Sequence, residues 1–171
     1  MSKRAVDLVF SATYLLVDLR MILRETAPTH ELSDKQKAEA ARLLSCQTVD
    51  VQADRLTATL SLASRFHACV VLKGCGSVIA TPKGHWYING SGHPGMASAG
   101  MGDVLTGLVA SLLAQGWAAE PALIAAVHLH GAAADQLARQ GIGPIGLTAG
   151  EVIDAARRLF NDWLEQARHP R

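Results

Sequence analysis

The sequence is poor in cysteine and in aromatic residues, and neither sign of charge is in excess. Its three cysteines, Cys46, Cys69 and Cys75, form no C-x-x-C pair, which argues against a disulfide framework or a structural zinc site. Sixteen basic and fifteen acidic residues leave a net charge of +1, so bulk charge indicates no nucleic-acid or membrane partner. Aromatic residues, at 5%, offer no platform for stacked bases. This composition favours a reducing cytoplasm.

A long apolar run is also missing near the amino terminus. Asp7, Asp18 and Arg20 interrupt the apolar residues of 5–24, which therefore stay short of the roughly 18 residues that a membrane span requires. A signal peptide would need a clean apolar segment and a small-residue cleavage site, and the fit to both is poor. We expect a helix or a strand–helix pair in this segment instead of an anchor.

Apolar residues make up 49% of the 171 positions, which is enough for one well-buried domain. A continuous apolar run at 68–74 predicts a buried strand, and residues 77–81 and 85–89 predict a hairpin around a Pro-Lys-Gly turn. Helices are predicted at 37–44, at 51–66 with Asp50 as cap, at 103–115 with Gly116 as its stop, at 120–139, and from Thr148, which has capping-box spacing to Glu151. This order of elements predicts an α/β fold.

The stretch GHPGMASAGMGDVLTG joins a loop of small residues to one of these helices. Gly100 and Gly102 allow unusual φ angles and a close approach to a ligand, while a helix N-terminus supplies unpaired N–H groups and partial positive charge. Ala99, Gly100 and Met101 would thus form an anion loop suited to phosphate. Asp103 could accept a proton from a substrate hydroxyl that attacks a phosphoryl group, or it could simply cap the helix.

A second cluster, Lys73-Gly74-Cys75-Gly76-Ser77, follows the buried strand. A lysine with glycines and a hydroxyl can face a phosphate, but the same residues can form a strand-ending turn. On the 120–139 helix, His128 and His130 lie two residues apart and point to different faces, which is poor geometry for a metal. Packing is the role expected for His130, and a solvated or capping carboxylate is expected at Asp135. No dedicated metal cluster is apparent.

Four runs, in this order, resemble the C-terminal part of a known family: KGCGSVIATPKG, GHPGMASAGMGDVLTGLVASLLAQG, HLHGAAADQLA and GLTAGEVIDA. The family is that of the ADP-dependent NAD(P)HX dehydratases, repair enzymes of the ribokinase-like superfamily, and the similarity covers roughly residues 38–165. It implies a three-layer α/β/α fold with a mainly parallel sheet, truncated on its N-terminal side. We expect residues 38–168 to form this partial domain and residues 1–37 to be an atypical segment unrelated to it.

The resemblance also implies an activity. Family members remove water from hydrated NADH or NADPH by kinase-like phosphorylation and elimination, with ADP or ATP as co-substrate and Mg²⁺ to offset charge. Asp103 would be the catalytic base and a substrate contact. The nucleotide-binding residues implied are Lys73, Gly74, Cys75, Gly76, Ser77 and Gly102. A homo-oligomer is an open possibility.

Three departures from the family pattern bear on this interpretation. Family domains extend much further on the N-terminal side, residues 33–38 replace a TPHPGE-type segment, and His93 and Ala99 stand where Asn and Gly are usual. A positive φ at Ala99 would strain the anion loop. Two alternatives therefore stay open: a small-molecule kinase of the same superfamily that acts on a vitamin-precursor alcohol, and a non-catalytic nucleotide-binding fragment.

Overall fold

The computed structural model describes residue 51 and residues 53–169. Contacts divide the chain into two compact units, 1–55 and 56–171, and the elements below lie in the second apart from the first residue of α1. The predictions for 5–24, for 37–44, for Asp50 as a cap and for a boundary at 37/38 fall outside the described residues. That boundary stays a prediction.

Four helices, three short strands and one 3₁₀ turn make up the second unit. In chain order they are α1 (Arg55–Phe66), β1 (Val70–Leu72), β2 (Val78–Ala80), β3 (Trp86–Ile88), the 3₁₀ turn (Pro94–Met96), α2 (Met101–Ala114), α3 (Ala119–Arg139) and α4 (Ala149–Arg168). The predicted strand, hairpin and three C-terminal helices are all present, but β1 is half-buried at all three positions and not buried as predicted. Helix α2 begins at Met101, two residues before its predicted start. Its N-cap is Gly100 and not Asp103.

The three strands form one antiparallel sheet in the order β1-β2-β3. Val71 pairs with Ile79 and Ile79 with Tyr87, so β2 is the central strand and is buried along its whole length. The mainly parallel sheet implied by the resemblance is not found within residues 53–169, because two tight reversals make each strand antiparallel to the next. Strand β3 is exposed at all three positions.

Helix α3 lies at the centre of the packing. One buried cluster joins the sheet to α2 and α3 through Ile79, Leu105, Leu112, Leu123 and Val127. A second cluster joins α2, α3 and α4 through Met101, Val104, Leu129, Leu137 and Val152. Apolar residues at helical spacing on α3 contribute to both clusters, as expected for a helix with neighbours on two sides. The first turn of α2 is thereby held against the middle of α3.

The ends of α2 and α4 confirm two predictions from local sequence. Gly116 follows α2 with φ of 90°, the left-handed conformation expected just beyond a helix C-terminus. Thr148 and Glu151 form the predicted capping box at the start of α4. The Thr148 amide donates to Glu151 Oε2 at 2.8 Å, and the Glu151 amide donates back to Thr148 Oγ1 at 3.3 Å.

The capping box gives a stability prediction. We expect Thr148→Ala to lower the free energy of unfolding by about 1 kcal/mol in urea titrations at pH 7, because the Glu151 amide loses its acceptor and the Glu151 carboxylate loses the Thr148 hydroxyl as a donor. Hydrogen bonds from Thr148 lower the pKa of Glu151 below its ordinary value of 4.5. The carboxylate therefore contributes above pH 4.5 and loses its contribution as pH falls through the lowered pKa, so the difference should narrow in acid.

The control for this prediction is Ser111→Ala, which removes a hydroxyl that donates within α2 to the Leu108 carbonyl at 2.9 Å. That change should stay within about 0.5 kcal/mol of the wild type. Equal losses in the two variants would contradict a specific role for the cap.

Candidate anion site at the first turn of α2

Helix α2 begins at a glycine in the left-handed conformation. Gly100 has φ of 87°, and its carbonyl accepts hydrogen bonds from the amides of Asp103 at 3.0 Å and Val104 at 3.1 Å. The amides of Met101 and Gly102 precede the first hydrogen bonds of the helix and lie at its positive end. The backbone here has the arrangement that binds anions in other helix-initiating loops.

Asp103 is the third residue of α2 and is exposed at its first turn. The alternative in which Asp103 is the N-cap of the helix is wrong, because Gly100 occupies that position. A carboxylate at this position interacts favourably with the helix dipole. It also lies beside the amides of the anion loop, where a proton acceptor for phosphoryl transfer would be needed.

Lys73 approaches the same point from the end of β1. Its Nζ lies 3.7 Å from the position that a Cβ on Gly102 would occupy, so the ammonium lies within van der Waals distance of the first turn of α2. Much of the Lys73 side chain is exposed, yet partial burial of the amine lowers its pKa, and the nearby Asp103 carboxylate opposes that shift. Lys73, from one cluster singled out in the sequence, therefore meets Gly102 and Asp103, from the other, at one place.

The residues after Lys73 form a tight turn. Ser77 Oγ accepts a hydrogen bond from the Gly74 amide at 3.3 Å and donates to the Gly74 carbonyl at 3.2 Å. Gly74 and Gly76 have φ of 156° and 65°, which a side chain would disfavour. Cys75 is exposed in this turn. The glycines are thus required by the turn itself, and a role for residues 74–77 in nucleotide binding stays a prediction.

Ala99 does not strain the loop. Among the described residues, His67 is the one non-glycine with a positive φ, at 49°. Ala99 is exposed one residue before the helix cap. Ala99 therefore has an ordinary backbone conformation, and the strain considered for an alanine in place of the usual glycine is absent.

The loop before α2 is held by contacts that the sequence did not reveal. Asp135 Oδ2 accepts the Gly92 amide at 3.0 Å, so this partly exposed carboxylate anchors the loop, and its place inside α3 excludes the predicted role as a helix cap. Ser91 Oγ donates to the His128 carbonyl at 3.0 Å. The sequence shows only that Asp135 lies one helical turn after Gly131. No local pattern connects Asp135 to residue 92, which is 43 residues away.

A second set of contacts fixes the loop against the start of α4. Ser98 Oγ donates to the Leu147 carbonyl at 3.1 Å. A Cβ on Gly95 would lie 2.7 Å from the Pro144 carbonyl oxygen, and one on Gly100 would lie 3.0 Å from Ala149 Cβ. These close approaches hold the anion loop between α3 and the segment that leads into α4.

His130 lies beneath the first turn of α2. It is 4% exposed, whereas His128 is exposed and stacks on Trp163, which confirms that the two histidines point to different faces. The pKa of His130 is lowered to about 4, mainly by burial and also by the charge of Lys73, while a hydrogen bond to the Met101 backbone partly opposes both. The imidazole is therefore neutral at pH 7, and it contacts the first turn of α2 at the Met101 backbone.

Within the described part of the chain, no three His, Cys, Asp or Glu side chains are grouped closely enough to hold a metal ion. No helix in that part is long and apolar enough to cross a bilayer. What the site does offer is amide donors at a helix start, one ammonium group and one exposed carboxylate. This set can bind a phosphate and accept a proton beside it.

The comparisons with known proteins agree with the fold and with the sequence resemblance. In structure, the chain is similar to an ADP/ATP-dependent NAD(P)H-hydrate dehydratase from Bacillus subtilis that was co-crystallised with ATP and Mg²⁺. The TM-score is 0.67 at 29% identity, over 74% of this chain and 45% of that one. The protein is therefore of the kinase-like α/β class, and the predicted fold class is confirmed.

The family follows from sequence. The model of the NAD(P)H-hydrate dehydratase family matches residues 36–157, and the chain belongs to that family. It is 48% identical over 124 residues to an ADP-dependent (S)-NAD(P)H-hydrate dehydratase of Neisseria meningitidis, covering 72% of this chain and 42% of that protein. It is 39% identical to a bifunctional NAD(P)H-hydrate repair enzyme of Escherichia coli, covering 77% of this chain and 25% of that one. The chain thus spans less than half the length of these curated relatives.

Proposed function

We propose that the chain catalyses the nucleotide-dependent dehydration of hydrated NADH or NADPH. The observation on which this rests is the meeting of the Lys73 ammonium, the Gly102 backbone and the Asp103 carboxylate at the first turn of α2. Family membership and the relatives' names support the choice of substrate. A reducing cytoplasm remains the compartment that we propose.

In the first step, proton transfer and charge stabilisation fall to different groups of the site. The Asp103 carboxylate takes the proton of the substrate hydroxyl, whose oxygen forms a bond to the terminal phosphorus of the nucleotide as the bridging P–O bond breaks. With ADP, that bond breakage releases AMP. The amides at the start of α2 and the Lys73 ammonium face the charge on the transferred group.

The second step is elimination. The phosphate leaves the nicotinamide ring together with a proton from the neighbouring carbon, which restores the double bond. The balance is one hydrated cofactor and one ADP converted to one reduced cofactor, one AMP and one phosphate. Phosphorylation thus converts a poor leaving group, hydroxide, into a good one.

Magnesium fits this donor set as a cation held mainly by the nucleotide. Mg²⁺ in such sites keeps several waters and is bound largely by the phosphate oxygens of the substrate, and the described residues offer no group of three side chains that could hold it instead. When bound, it would offset the charge of the phosphates. The remaining contributions, which are orientation, proton transfer and anion binding, come from the chain itself.

An absorbance assay tests the proposal. The purified chain is incubated with hydrated NADH, ADP and Mg²⁺, and recovery of the reduced-nicotinamide band is followed in step with release of AMP. Recovery that requires ADP is the expected result. A folded chain that binds ADP without any recovery would instead be the non-catalytic fragment. Phosphorylation of a vitamin-precursor alcohol in its place would identify the small-molecule kinase.

A further inference from the structure

The 3₁₀ turn that precedes the anion loop is capped by a histidine. His93 is the N-cap of the turn Pro94–Met96, and its Nδ1 accepts a hydrogen bond from the Gly95 amide at 3.2 Å. The backbone of His93 is extended, as is usual at an N-cap, and its side chain is half-buried. This histidine therefore has the role that serine, aspartate or asparagine has at most N-caps.

The cap bond fixes the protonation state of the ring. A backbone amide can only donate, so His93 Nδ1 is the acceptor and carries no proton, and the proton of the neutral ring is on Nε2. When the ring gains a second proton, both nitrogens become donors and the Gly95 amide loses its acceptor. Histidine is the side chain that changes charge between pH 5 and 8, whereas asparagine, the usual residue of the family at this position, does not titrate.

The capped turn is coupled to the start of α2. Met96 packs against the buried cluster that contains Met101, the first residue of that helix. Gly95 lies so close to the segment before α4 that a Cβ on it would be 2.7 Å from the Pro144 carbonyl oxygen. Three residues separate the turn from Gly100, the N-cap of α2. A change in the turn is therefore transmitted to the backbone that forms the anion loop.

Other titratable side chains lie on the elements around the turn. Those that the described elements bring to this loop are His128, His130 and Asp135 on α3, Lys73 at the end of β1, Asp103 on α2 and Glu151 on α4. The segment 141–147, which meets the turn at Pro144, has no titratable side chain. A substitution at position 93 leaves all of these groups in place, so a difference in pH dependence between two residues at that position reports on the cap.

We propose that His93 is a positioning residue for the anion loop and that it acts only in its neutral form. With Nδ1 bonded to the Gly95 amide, the turn is fixed and the first-turn amides of α2 are set to receive phosphate. With the ring protonated, the cap bond is lost and the turn must be ordered when the nucleotide binds. Nucleotide binding thereby acquires a dependence on pH that an asparagine cap would not give. The inference rests on the proposed nucleotide site.

The affinity for ADP at two pH values tests this inference. Calorimetry compares the wild type with His93→Asn, whose side-chain oxygen accepts the Gly95 amide at both values. We expect equal dissociation constants at pH 8. At about pH 5.5 the wild type should bind about three- to tenfold more weakly than the variant, the range for loss of an N-cap bond. ADP itself gains a proton over this range, so the ratio of the two dissociation constants is the measured quantity.

Two further variants complete the comparison. His93→Ala has no acceptor at either pH and should bind ADP at both values about as weakly as the wild type does in acid. His169→Asn, at the far end of α4, should follow the wild type. If the ratio of wild type to His93→Asn is the same at both pH values, the inference is overturned while the proposed function stands. Tighter binding by the wild type in acid would also overturn it, because a charged ring would then be attracting the phosphates.

An NMR titration without nucleotide keeps the two proposals distinguishable. In the wild type, the amide signals of Gly95, Met101 and Gly102 should follow the titration of the His93 ring, and the ring proton should be on Nε2 at pH 8. In His93→Asn the same amides should not move over this range. If the wild type fails to bind ADP, the proposed function fails and the titration decides the inference. Amides of Met101 and Gly102 that ignore the ring, or a ring proton on Nδ1 at pH 8, would overturn it.

Discussion

Replacement of Asp103 by Asn is expected to abolish most of the turnover without weakening the binding of ADP. Asparagine retains the size of the side chain but cannot take the hydroxyl proton, and loss of a general base costs about 10²- to 10⁴-fold in rate. Binding should be equal or tighter, because the substitution removes a negative charge from beside the phosphates. Steady-state kcat from the absorbance assay and the Kd of ADP from calorimetry measure the two effects separately.

Asp154→Asn is the matched control, since Asp154 is an exposed carboxylate on α4 that pairs only at 3.5 Å with Arg157. It should retain wild-type kcat. Asp103→Asn should also remain folded, because the loss of one first-turn carboxylate costs a helix about 0.3–1 kcal/mol. If Asp103→Asn kept more than a tenth of the wild-type kcat, Asp103 would not be the base.

The local features of the fold were predictable because each depends on residues close together in the chain. The capping box needs only Thr148 and Glu151, and the stop of α2 needs only a glycine at 116. The hairpin of β2 and β3 follows from two apolar runs around one turn. Such signals express backbone chemistry that operates over three or four residues, so no knowledge of tertiary packing is required.

The residues of the candidate site could be predicted from the sequence, but the contacts that hold them in place could not. Lys73, Gly102 and Asp103 stood out as residues whose chemistry suits a phosphate, and the resemblance grouped them. The bond from Gly92 to Asp135 and the burial of His130 under Met101 depend on how α3 packs against the loop. Helical spacing placed His128 and His130 on different faces, but it could not tell which face was inward.

The same packing makes Gly131 the position where a single methyl group should do the greatest damage to stability. Gly131 is buried in the middle of α3, where the loop of residues 89–92 crosses the helix. A Cβ there would clash with Ser91 Oγ and would lie 2.7 Å from both the carbonyl carbon and the carbonyl oxygen of Ser91. The hydroxyl could rotate away, but the backbone atoms can move only if the loop moves.

We therefore expect Gly131→Ala to lower the free energy of unfolding by about 3 kcal/mol or more in urea titrations, the upper range for overpacking of a close contact. Displacement of the loop would also break the bonds from Ser91 to His128 and from Gly92 to Asp135, and each lost bond adds to the cost.

The matched control is Gly107→Ala in α2, where a Cβ would meet nothing within 4 Å. There the alanine should stabilise the helix by about 0.5–1 kcal/mol, since glycine is the poorer helix former. Two identical substitutions at helical glycines are thus expected to act in opposite directions. A loss at Gly131 no larger than the change at Gly107 would mean that the loop does not lie on α3 as described, and the support of the anion site would have to be sought elsewhere.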